Sequence, residues 1–329
     1  MDPAWRLARG QEAPAPGKIF EAEGKMSRKV LALLGIFFAF SFLFYLGTTR
    51  EHQEGLKSLL KPLGAPSFKE ADEIELSYQG KGFRLKKEGE EWVILSDFKK
   101  PARQATVTEL LETLADLHGE VRAKGKRYFS RFGVSEREAL HLVLKKDGQE
   151  LAHFLIGKRG PQWESSFLRL KGSQEIYLVP VNLLAKLDIW EEGPEVPQDK
   201  AFVDLEVLSL PVKEIKTLSL TGPQGGWTLR REGSKFVFTK DGREKEIAPA
   251  QAEKFMRKLF PLLAEEVVAP ESFKEKGALR LSYELRNGLK GELEISCASK
   301  ECLVRKKGFV FRVKRENLAP LFKPFEGKD

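Results

Sequence analysis

The chain has little of what chemistry usually needs. Two cysteines, Cys297 and Cys302, and four histidines occur in 329 residues, too few for a cysteine-rich zinc framework. No Gly-x-Ser-x-Gly elbow, Walker-type phosphate loop or dinucleotide fingerprint is present, which removes the usual signatures of acyl transfer, nucleotide hydrolysis and hydride transfer. Charge is not segregated either: 56 basic and 48 acidic residues give a net +8, spread as a mixed surface rather than a nucleic-acid footprint. Nucleic acid is therefore not expected as a partner, and no cofactor or metal is expected. The first lesson of the sequence is what to stop looking for.

One long uncharged run is there. Residues 30–47, VLALLGIFFAFSFLFYLG, would span roughly 27 Å as a helix against a hydrocarbon core of about 30 Å. The apolar residues cover every face, and no small-residue cleavage site follows, so the run reads as an uncleaved signal anchor. Lys25, Arg28 and Lys29 on its near side favour a cytoplasmic N-terminus. The expected placement is a single-pass protein of the bacterial inner membrane, held in the lipid bilayer through residues 30–47, with its C-terminal region periplasmic or extracytoplasmic. Residues 1–29 read as a disordered cytoplasmic tail in which Met26 offers a second natural start, and 48–70 as a juxtamembrane linker.

Beyond the run the sequence repeats itself. FRLKKEGEEWVIL at 83–95 and WTLRREGSKFVFT at 227–239 place aromatic, basic pair and Glu-Gly turn in the same order, 144 residues apart. Each is two alternating runs about a glycine, the pattern of a β-hairpin. A helical pattern follows both: Leu110, Leu111, Leu114 and Leu117 behind the cap candidates Thr106 and Thr108, then Phe255, Met256, Leu259 and Leu262 after Pro249. Second hairpins carry Asp147-Gly148 and Asn287-Gly288 as turns. The expected class is α+β: an N-terminal transmembrane helix, then two tandem repeats of an antiparallel-sheet-plus-helix unit, 71–190 and 211–325, joined by an exposed linker over 191–210.

These motifs in this order resemble a known family. Trp92-Val93-Ile94, the Leu-Leu-x-x-Leu core at 110–114, Phe132-Gly133-Val134, Leu155-Ile156-Gly157, the strand Glu175 to Val179 and Asp199-Lys200-Ala201-Phe202 are similar to the bacterial membrane-anchored domain of unknown function 4340. Glu136-Arg137-Glu138 stands where that family usually shows a proline. The resemblance implies a non-enzymatic accessory or scaffold protein whose partner is an ABC-type, including gliding-type, transport system such as its permease. It carries over no catalytic residue.

The residues themselves leave two other readings open, an envelope-polymer or small-ligand binding module and an enzyme of unrecognised type. The basic run KGKRYFSR at 124–131 supplies the polyanion contacts Lys124, Lys126, Arg127 and Arg131, with aromatics interleaved. His141 and His153 fall on paired strands: a three-residue turn would put them on one face as a weak metal-site candidate, and a two-residue turn would separate them. Phe83 with Trp92, and Trp227 with Phe236, are stacking candidates or hairpin core. Cys297 and Cys302, with four residues between them, suit a disulfide across a short hairpin in an oxidising compartment or a pair of free thiols.

Overall fold

The computed structural model describes residues 36–42 and 60–325. Residues 36–42 are helical, and a helix of that length rises about 10 Å, a third of a hydrocarbon core. Among the described residues no helix is long and apolar enough to cross a membrane. This corrects the expected transmembrane signal anchor, and with it the single-pass inner-membrane placement and the extracytoplasmic C-terminal region. The rest of 30–47, and the tail 1–29 with Met26, lie outside the described residues.

The expected α+β class is corrected too, because residues 60–325 are mostly β. The first half supplies β1 (Leu60–Pro62), β2 (Glu73–Tyr78), β3 (Lys81–Glu88), β4 (Glu91–Leu95) and β5 (Lys99–Pro101). It continues with β6 (His118–Lys124), β7 (Leu140–Lys146), β8 (Gln149–Arg159), β9 (Ser166–Leu170) and β10 (Glu175–Val179). These ten strands form one sheet in the order β1-β6-β10-β9-β8-β7-β2-β3-β4-β5.

The second half supplies β11 (Glu206–Leu208), β12 (Ile215–Gly222), β13 (Gly225–Glu232), β14 (Lys235–Lys240), β15 (Arg243–Ile247) and β16 (Leu262–Leu263). After these come β17 (Glu266–Val268), β18 (Leu279–Leu285), β19 (Lys290–Cys297), β20 (Glu301–Lys306) and β21 (Phe309–Lys314). Nine of them form a second sheet, β15-β14-β13-β12-β18-β19-β20-β21-β17, and β11 pairs with β16 alone. Every pairing in both large sheets is antiparallel. What the two halves share is a succession of strands: β6-β10-β9-β8-β7-β2-β3-β4-β5 runs as β17-β21-β20-β19-β18-β12-β13-β14-β15 does.

Helices are short covers. The longest between 60 and 325 is α1 (Gln104–Ala115), whose Val107, Leu110, Leu111 and Leu114 are buried. It begins ahead of the Thr106 and Thr108 caps, with no side-chain cap. Gln104 instead clasps the sheet, accepting from the Trp92 amide at 2.8 Å and donating to the Trp92 and Ala102 carbonyls. The helix is thereby held by its first residue, while the Arg103 carbonyl takes the Thr106 and Val107 amides.

The core follows from alternation along the strands. Ile74, Leu76, Leu140, Leu142, Leu144, Phe154 and Ile156 all point to one face of the first sheet and are fully buried. One hydrophobic cluster runs from Leu63 to Leu321, taking in both sheets. Residues 199–210 are woven into it: Phe202 is fully buried, its carbonyl accepts the Arg103 amide at 2.7 Å, and Val203 bridges Ala102. The polar EEGPEVPQDK opening hid that anchor, because burial here rests on Phe202, Val207 and Leu208.

Candidate functional site

The opposite face of the first sheet carries the polar side chains. Asp147 and Gly148 turn the β7–β8 hairpin with φ of 50° and 77°, the left-handed pair that a two-residue type I′ turn demands. That turn alone would send His141 and His153 to different faces. A bulge intervenes: Lys145 faces Glu150 but Leu144 faces Ala152, so Leu151 is the extra residue and every later pairing shifts by one. His153 then stands opposite Val143 and diagonal to His141 on one face. Their rings meet, His141 Nδ1 to His153 Nε2 at 2.9 Å.

A strap formed by residues 125–139 lies over this face. Its short helix α2 (Phe129–Phe132) ends at Gly133 in the left-handed conformation. It approaches β8 so closely that a Cβ on Gly157 would lie 2.3 Å from the Phe132 carbonyl oxygen. Phe129, Val134 and Ile176 pack beneath it as a separate small core. Arg169, on β9, pins the strap from below. Its Nε donates to the Val134 carbonyl at 2.9 Å, Nη1 to the Ser173 carbonyl at 3.2 Å and Nη2 to Glu136 Oε1 at 3.0 Å. Its guanidinium lies 4.1 Å from the Phe129 ring centroid.

Glu136 joins the two polar groups, since its backbone carbonyl lies 2.8 Å from His141 Nε2. A carbonyl only accepts, so His141 carries its proton on Nε2, and in the neutral pair its Nδ1 accepts from His153. His153 Nδ1 is left buried with no hydrogen-bond partner, 3.7 Å from the Glu150 carboxylate. Burial, more than the nearby Lys171, lowers the His153 pKa, with Glu150 opposing. Partial burial raises the Glu136 carboxyl, but the hydrogen bond and charge of Arg169, aided by both histidines, outweigh it and leave it below its usual range. Among the described residues no group of three or more metal-ligating side chains is assembled.

Two open grooves flank Glu136 and Arg137. One, of about 660 Å³, is lined by Lys126, Ser130, Ser135, Arg137, Arg169 and Gln174 among others. The other, of about 620 Å³, runs past Ser77, Gln79 and His141. Of the four basic residues expected to act together, Lys126 alone lines either of these two grooves. Arg127 stacks on Tyr128, Arg131 on Phe132, and Lys124 stands opposite Glu175 on β10. The stacking candidates Phe83, Trp92, Trp227 and Phe236 are all buried core. Cys297 and Cys302 face each other across β19 and β20 and are disulfide-bonded.

Between residues 60 and 325, two tryptophans that the sequence did not single out reach solvent. Trp163, in the loop between β8 and β9, and Trp190, after α3 (Leu183–Lys186), are 51% and 60% exposed. Their rings stack with centroids 6.3 Å apart and planes 13° from parallel. Arg159 also lies over the Trp163 ring, 4.4 Å from its centroid. The pair is held rather than loose: Asn182 donates to the Trp163 carbonyl and Trp190 Nε1 to Asp188. The available signal was the position of both tryptophans in polar, irregular segments, where no hairpin core could use them.

These features define a mostly β protein whose first sheet presents a strapped polar face and, at the β8–β9 connection, a stacked pair of exposed tryptophans. The chain belongs to the family of the domain of unknown function DUF4340, whose model matches residues 92–281. That match covers more than half of the chain and runs from β4 to β18, through the strap, the groove beside Arg169 and both exposed tryptophans. No curated protein matches it.

Proposed function

We propose that this chain is a non-catalytic accessory or scaffold protein that docks a protein partner through Trp163, Trp190 and Arg159. The observation that carries this reading is the exposed, held stack of two tryptophans capped by an arginine. Tryptophan and arginine dominate the binding energy of protein interfaces, and a side chain already fixed in place loses little entropy on docking. Asp188, Glu191 and Glu192 beside Trp190 suit a partner segment bearing basic residues, which would pack against its exposed ring. An ABC-type transport component, such as a permease, is the partner that the family resemblance suggests.

The test is quantitative co-purification of the tagged full chain and its W163A/W190A variant. The proposal expects an ABC-type component in the wild-type eluate, reduced at least tenfold by the double substitution, as loss of an aromatic hot spot of about 2 kcal/mol or more would give. Wild-type eluates without a transport component, or recovery unchanged in the variant, would refute it.

A further inference from the structure

The two sheets can be superposed position by position through their registers. Leu142 pairs with Phe154 and Leu281 with Leu293, each leucine also facing one on the neighbouring strand, Leu76 on β2 or Leu220 on β12. This equates Leu155 with Glu294 and Arg169 with Arg305, the arginine standing opposite that residue in each case. Both arginines lie over a phenylalanine of the covering segment, Phe129 or Phe273. Their counter-charges differ. Arg305 is held by two carboxylates, Glu294 and Glu275. Arg169 has only Glu136, because the other position is occupied by Leu155.

The deficit falls where it costs most. The Arg169 side chain is 4% exposed and that of Arg305 31%, and a buried cation requires compensation that an exposed one obtains from water. One hydrogen on each Nη of Arg169 remains beyond its bonds to Ser173 and Glu136. Lys126 and Arg137 line the same groove and deepen the surplus. Glu138, which takes the Ser135 hydroxyl at 2.6 Å, offsets part of it. The groove is therefore lined by three cations, Lys126, Arg137 and Arg169, against one carboxylate, Glu136, with Glu138 outside the lining and bound to the Ser135 hydroxyl.

We infer that this groove is a binding site for a small organic phosphate, the phosphoryl group supplying from the groove side the second counter-charge that Glu294 supplies to Arg305. A planar guanidinium with free N–H groups matches phosphate oxygens, and Lys126 and Arg137 add positive charge. About 660 Å³ is room for the phosphate and an attached polyol. The same monoester chemistry occurs on a soluble ligand and on a lipid headgroup.

Titration calorimetry of the full chain with glycerol 3-phosphate, beside flotation with vesicles of phosphatidylcholine containing phosphatidic acid, tests this. Saturable binding in solution identifies a free ligand, and retention on the phosphatidic acid vesicles alone identifies a headgroup. In either arm K126Q and R137Q should each weaken binding about tenfold, the loss of one charge-assisted contact. L155E, which restores the missing carboxylate, should abolish it. Absence of binding in both arms at millimolar ligand, or binding unchanged in K126Q and R137Q, overturns the site whether or not L155E folds. Failure here leaves the tryptophan docking surface untouched, since Trp163 and Trp190 lie outside this groove.

Discussion

The two sheets run in the same strand order and use their outer faces in opposite ways. In the second, Arg280 lies within reach of Glu292 and Glu294, and Arg305 of Glu294 and Glu275. Its β19–β20 turn is closed by the Cys297–Cys302 disulfide. In the first, the positions of Arg280 and Glu292 hold His141 and His153, and that of Glu294 holds Leu155. The matching β8–β9 connection is a longer loop that displays Trp163. The second face is neutralised and stapled. The first is left with a proton-binding pair, an under-compensated arginine and an exposed tryptophan pair, which is where recognition has room to act.

The contrast breaks most sharply at the two arginines. R169A leaves the Val134 and Ser173 carbonyls without their donor and removes the pin of the strap. It should lower unfolding free energy by about 2–4 kcal/mol, the cost of unsatisfied acceptors under the strap. R305A, at a partly exposed network, should cost about 1 kcal/mol or less. Urea denaturation of both variants measures the gap. Equal losses would mean that the first face is no more dependent on its arginine than the second.

The staple comes next. C297S/C302S should lose about 2 kcal/mol in the same assay, the chain-entropy value for a short loop. Reducing agent should lower the wild type alike and leave the double variant unmoved. Gly157 probes the strap on the other side: G157A sets a methyl against the Phe132 carbonyl and should cost about 1–3 kcal/mol through overpacking. An unchanged midpoint would show that the strap does not press on β8.

The smallest effect is the most diagnostic of the histidine pair. Burial keeps His153 neutral to lower pH than an unfolded histidine, so the unfolded chain binds the proton first. Its contribution to stability is complete above about pH 6.5 and is lost as pH falls through that window towards the lower folded value. H141R/H153E, which transplants the Arg280–Glu292 pair, should flatten that part of the stability curve. A slope unchanged in the double variant would place the titration elsewhere.

Local pattern carried much of the fold. Phe83 to Leu95 and Trp227 to Thr239 are the hairpins β3–β4 and β13–β14, and Pro249 opens α4 (Pro249–Arg257). The class was not legible, because a single α1-type helix per half reads as strongly in a sequence as the nine strands that outweigh it. The membrane helix over 30–47 was read from composition alone, and the described part, 36–42, is too short to cross. At the site, the face shared by His141 and His153 depended on a bulge at Leu151 that no turn rule reveals. Arg169 was invisible for a different reason: one arginine in FLRL carries no signal until the strap and Glu136 are brought above it. Trp163 and Trp190 are 27 positions apart in sequence, and only folding stacks them.

The central claim, that the first sheet's β8–β9 connection recognises a partner and the second sheet's β19–β20 turn does not, is tested most directly by photocrosslinking in cells. A photoreactive residue is placed at Trp163 or at Ser299, the exposed position in the matching β19–β20 turn. The account predicts a crosslink to an ABC-type transport component from position 163 and none from position 299. Equal crosslinking from both positions, or capture of that component from 299 alone, would contradict it.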